Sequence, residues 1–141
     1  MPFFYYVYLK AKKISIIRKH LYYRLKHEDS ITERLDYKFL DTVKAGKILF
    51  DIFTENNFYE DYKYDLIAYK INGPRMTLAG IDKKYQDQMY NFIKEDYENI
   101  KKSEYYNDFL QNVGPKKKKF FEDIQNTNSY DEFMKINQNK Y

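Results

Sequence analysis

One run of apolar residues constrains the fold more than any other feature. Tyr85, Met89, Phe92 with Ile93, Tyr97 and Ile100 recur every three or four residues, the period of one helix face. A strand could not keep these side chains on one side, because its faces alternate every two residues. The spacing predicts a helix over 83–102, with Asp82 in the cap position. Ser103 then stands before a shorter helix carrying Tyr106, Phe109, Leu110 and Val113, which Gly114-Pro115 stops. Ser129-Tyr130-Asp131-Glu132 has the form of a capping box. It opens a last helix with Phe133, Met134 and Ile136 apolar, and the polar stretch 137–141 is expected to fray.

The first half reads less plainly. Residues 3–9, Phe-Phe-Tyr-Tyr-Val-Tyr-Leu, favour a strand by their aromatic and β-branched content. Ile14, Ile17, Leu21 and Leu25 have helical spacing, which predicts a helix over 14–27. Ser30-Ile31-Thr32-Glu33 is another capping box. The stripe Ile31, Leu35, Phe39 and Val43 follows it, and Gly46 is the expected end. Residues 47–53 then lean to a strand. Asn72-Gly73, between the runs 64–71 and 75–81, is a strong hairpin signal, which Pro74 weakens. The competing reading is a helix through Phe58, Tyr62, Leu66 and Tyr69. The expectation is therefore one helix-dominated α+β domain spanning 1–141. About six helices would surround an aromatic-rich core with a small antiparallel sheet, and an all-α fold is the alternative.

Composition excludes several chemistries. With no Cys among 141 residues, disulfides, thiolate metal sites and cysteine nucleophiles are ruled out. No apolar run reaches the ~18 residues of a membrane-spanning helix. The N-terminal apolar run is too short for a secretory signal, so an intracellular protein is expected. Phe, Tyr, Ile, Asn and Lys make up 73 of the 141 residues. All five are read from AT-rich codons, so an AT-rich genome accounts for much of the lysine and tyrosine content.

Only four glycines are present, at 46, 73, 80 and 114, too dispersed for a phosphate-cradling loop. His20 and His27 lie seven apart, roughly 10.5 Å along a helix and too far to share a metal. With Arg24 between them they could serve a metal-independent nuclease, the third functional reading. Glu95, Asp96 and Glu98, interleaved with Lys94, Lys101 and Lys102, read as a solvated helix face. No cofactor or metal is expected.

Codon bias does not sort charge by position. Residues 1–27 hold seven Lys or Arg and no acid, a net +7, whereas 28–141 carry 18 bases against 21 acids, a net −3. A block of one sign marks a partner of the other. Polyanion binding needs cations for phosphates and aromatics for bases to stack on. The candidates are Lys10, Lys13, Arg18, Lys19, Arg24 and Lys26 with Tyr22 and Tyr23. A second patch comprises Lys116, Lys117, Lys118 and Lys119 beside Phe120 and Phe121. Only four Arg accompany 21 Lys, which singles out Arg18, Arg24, Arg34 and Arg75 as positions where guanidinium geometry counts. The leading expectation is a non-enzymatic module that docks a polyanion, most of all nucleic acid, through a basic aromatic N-terminal helix. The alternative is a protein-interaction module: a subunit of an assembly, or an inhibitor encoded by a virus or mobile element.

The cap reading has a direct check. Ser30→Ala should cost about 0.5–2 kcal/mol, whereas Ser15→Ala should stay within about 0.5 kcal/mol. Equal midpoint shifts in urea melts would remove Ser30 from the cap role.

Overall fold

Helices alone build the described part of the chain. A computed structural model describes residues 2–15, 18–19 and 37–137. These form α1 (Pro2–Lys10), a 3-10 turn (Tyr37–Leu40), α2 (Asp41–Glu55), α3 (Tyr59–Gly80), α4 (Lys83–Lys101), α5 (Tyr106–Gln111), α6 (Pro115–Asn126) and α7 (Tyr130–Asn137). No strand occurs among the described residues. The small antiparallel sheet is thus replaced by the all-α alternative.

Three local expectations fail together, the second and third for a packing reason. Residues 3–9 lie in α1 rather than in a strand. Residues 47–53 continue α2, where Val43, Gly46, Leu49, Phe50 and Phe53 are buried at helical spacing. The Asn72-Gly73 hairpin is instead the middle of α3, whose buried residues include Leu66, Ile67, Lys70, Ile71, Pro74, Thr77 and Leu78. Pro74 costs α3 a backbone donor, and a mid-helix proline opposes the helix by ~3 kcal/mol. The continuous buried face outweighs that cost.

Gly73 serves close approach rather than turning. No described glycine has a positive φ. A Cβ on Gly73 would meet Thr42 Cγ2 at 3.3 Å, and one on Gly46 would lie 3.8 Å from Lys70 Cγ. These contacts pair the start of α2 with the end of α3, so the two helices run antiparallel. The reversal between them falls on Asn57, at φ 62°. Asn tolerates this left-handed conformation better than most residues. Asn57 N–H donates to Thr54 O at 3.1 Å and Phe58 N–H to Phe53 O at 2.9 Å, which closes α2 as a Schellman motif.

The later elements follow the apolar spacing closely. Met89, Ile93, Tyr97 and Ile100 of α4 are buried, as is Tyr90 beside them. Ser129 caps as expected, Glu132 N–H donating to its Oγ at 3.2 Å, while Glu132 Oε2 accepts at 2.7 Å from Asn128 N–H, one residue before the cap, rather than from Ser129. Ser103 does not cap α5. Its Oγ donates to Ile100 O at the end of α4. Asn137 is buried within α7 instead of fraying, and 138–141 lie outside the described residues, as does the box at Ser30. The core is a run of packed rings, including Tyr59–Tyr105 at 4.5 Å, Tyr97–Phe121 at 4.6 Å and Phe50–Tyr105 at 5.2 Å between centroids. Offset and edge contacts of this kind add to the area the rings bury.

A charged pair sits inside this core. Lys70 Nζ reaches Asp96 Oδ1 at 3.0 Å and Oδ2 at 2.9 Å, with side-chain exposures of 4% and 11%. The same ammonium lies 5.4 Å from the Phe50 ring centroid, a cation–π distance. Asp96 is therefore not on the solvated face that its neighbours Glu95 and Glu98 suggested. Lys70→Met alone strands Asp96 and should cost about 3–5 kcal/mol, while Lys70→Met with Asp96→Leu should recover most of it. Chemical-denaturation midpoints of both variants test this, and additive losses would show the pair to be uncoupled.

The Tyr97 hydroxyl is fully buried, with no hydrogen-bond partner among the described residues. Burial, and then nearby Asp96, push it well above the ordinary tyrosine range. Tyr97→Phe removes an unsatisfied donor and should raise stability by about 1 kcal/mol. A lower melting midpoint would mean that the hydroxyl has a partner after all.

Candidate nucleic-acid interface

A polyanion surface needs cations that no carboxylate neutralises and rings that the core does not claim. The N-terminal segment meets both conditions among the described residues. α1 rests on α2: the Tyr5 ring meets Phe53 edge-on at 6.2 Å, and Lys10 Nζ donates to Asn56 Oδ1 at 2.6 Å. Its outer surface faces solvent. Phe3 is 71% exposed and Phe4 59%, with Tyr6, Val7 and Tyr8 also exposed. A helix this apolar is ordinarily buried, so its exposure singles out the surface.

The cations follow directly. Lys12, Lys13, Arg18 and Lys19 are exposed, and no carboxylate pairs with them among the described residues. Lys10 is more engaged, tied to Asn56 and 5.7 Å from the Tyr6 ring centroid. The helix expected over 14–27 is absent at residues 14, 15, 18 and 19. Tyr22, Tyr23, Arg24 and Lys26 lie outside the described residues, as do His20, His27 and Arg34. Among the described residues the basic aromatic segment divides into an aromatic helix, α1, and non-helical residues 11–15, 18 and 19 after it.

Between α1, α2 and α3 lies a groove of about 500 Å³, lined by Tyr8, Ile14, Phe53, Tyr62 and Tyr69 among others. Burial raises the Tyr69 hydroxyl above its ordinary range, with Tyr5 adding to the effect. Asp65 also lines the groove, so a carboxylate stands on the inner side of the segment.

The second basic patch is partly engaged within its own helix. Lys116–Lys119 form the first turns of α6, where Gly114 is the cap and Pro115 takes the first position. Lys119 Nζ binds both oxygens of Asp123 at 2.8 Å, and Lys118 lies 3.9 Å from Glu122. Two of the four charges are compensated within their own helix. Phe120 and Phe121 are core residues, and Phe121 is wholly buried, so neither can stack on a base. Lys94 is likewise not a free surface cation. It donates to Thr127 O at the end of α6, where the Tyr90 hydroxyl also donates at 2.8 Å.

Among the described residues no group of three His, Asp or Glu side chains is placed to hold a metal ion. No described helix is long and apolar enough to cross a membrane. Compared with protein-family models, curated proteins and solved structures, the chain gives no match.

Proposed function

We propose that this protein is a non-enzymatic binding module that docks nucleic acid through α1 and the basic stretch after it. Single strands suit the surface better than duplex, because their unstacked bases can lie on exposed rings. Phe3, Phe4, Tyr6 and Tyr8 would stack bases, while Lys13, Arg18 and Lys19 hold phosphates. The observation that carries the reading is the adjacency of exposed aromatic rings to cations with no acid between residues 1 and 27. One observation favours the protein-interaction alternative. Val7 and Ile14 are exposed too, and aliphatic side chains offer bases little while fitting a protein interface.

Fluorescence anisotropy with labelled oligonucleotides at several salt concentrations separates the two. Single-strand binding should weaken linearly on a log–log plot, by roughly 0.7 per phosphate contact. Replacing Lys13, Arg18 and Lys19 by Gln should flatten that slope by about 2 and weaken all sequences alike. Phe3→Ala or Tyr8→Ala should cost roughly 1–3 kcal/mol of binding with little change in slope. Gln at Lys118 and Lys119 should change binding far less. If no oligonucleotide binds tighter than about 10⁻⁴ M at physiological salt, the interaction-module reading replaces this one.

A further inference from the structure

A second concave site lies away from α1, where the end of α3 meets α4, α6 and α7. Its volume is about 330 Å³, within the range of ~300–1,000 Å³ typical of small-molecule sites. Met76, Phe120, Phe133 and Met134 give it apolar walls. Met76 is 63% exposed, so an unbranched, adaptable side chain stands at the mouth and can fold over an apolar guest.

Arg75 breaks the apolar pattern. It lines the site, and its Nε is buried with no hydrogen-bond partner among the described residues. One terminal nitrogen approaches Met76 Sδ at 3.8 Å, a weak acceptor at best. No carboxylate among the described residues pairs with the guanidinium. A guanidinium stays charged at any pH the protein meets, and buried donors left unpaired are costly. Its planar fork suits the two oxygens of a carboxylate.

Tyr130 limits the ligand's charge. It lines the site, and its hydroxyl is raised above the ordinary range by burial and then by nearby Asp87 and Asp131. A second anionic group beside Tyr130 would meet those carboxylates, so the site fits one negative charge at Arg75 and an apolar body elsewhere. Gln86 is the remaining polar lining side chain and can hydrogen-bond a carboxylate oxygen.

We infer that this groove binds a medium-chain aliphatic monocarboxylate, its carboxylate on Arg75 and its chain between Met76 and Met134. The site is independent of the N-terminal surface, and either can fail without the other. Isothermal titration of the full chain compares decanoate with decanol, both below their aggregation limits. Wild-type protein should bind decanoate at least tenfold tighter than decanol. Arg75→Met should erase that difference while keeping decanol binding, and Arg75→Lys should retain part of it. Within the wild-type chain, the Arg75 Nε–H resonance should shift with decanoate and stay in place with decanol. That measurement holds even if the variants fail to fold. Equal affinity for the two probes, no binding of decanoate, or an unmoved Arg75 resonance would each overturn the assignment.

Discussion

The ion pair between Lys70 and Asp96 holds the arrangement of the first long helices. It joins the middle of α3 to α4, and the Phe50 ring of α2 covers the ammonium. A charge this deep is tolerated only where partners meet it closely. Any slip of α3 along α4 would strand both charges, whereas apolar neighbours could slide and repack. The pair therefore sets register more than it adds stability.

From that register the aromatic core follows. Phe50 touches the rings of Tyr59 and Tyr105, and the Tyr59 hydroxyl donates to Asp108 of α5 at 2.8 Å. Burial, and then this hydrogen bond, hold the phenol well above its ordinary range, so it stays a neutral donor to the carboxylate. Phe109 and Phe121 continue the ring contacts into α6, and Phe120 carries them to Phe133 of α7. Thr127 ends α6 with its carbonyl held by Tyr90 and Lys94. Helices separated along the chain are thus fastened by polar groups at their ends and rings between them.

The spacing of apolar residues showed α4 plainly, because it is one amphipathic helix; the Ser129 box marked the start of α7, but Met134 and Ile136 of its apolar set lie exposed and Asn137 is buried instead. The same spacing misread α2 and α3 because their signals conflict. Gly46, Asn72-Gly73 and Pro74 are local breakers, and their local meaning lost to a buried face shared by two long helices. Lys70 and Asp96 were illegible for a related reason: a buried charge looks like any surface charge until its partner, 26 residues away, is placed beside it. For the site, the charge asymmetry was legible and the location of the rings was not. Phe120 and Phe121 went to the core, while Phe3 and Phe4, with equal apolar character, remained outside. Arg75 had one signal, the scarcity of arginine, but its groove needed four helices to exist.

The place of Asn72-Gly73 inside α3 also bears on how the protein ages. In an exposed turn this dipeptide is the one most prone to ring closure, in which the glycine nitrogen attacks the asparagine amide and ammonia leaves. The resulting succinimide hydrolyses to aspartate or its β-linked isomer. Within α3 the Gly73 nitrogen is held in the helical ladder and Thr42 lies against it, so the ring cannot close until that turn unwinds and α2 withdraws. Accumulation of acidic product at residue 72 is then a slow record of how often these two helices have parted.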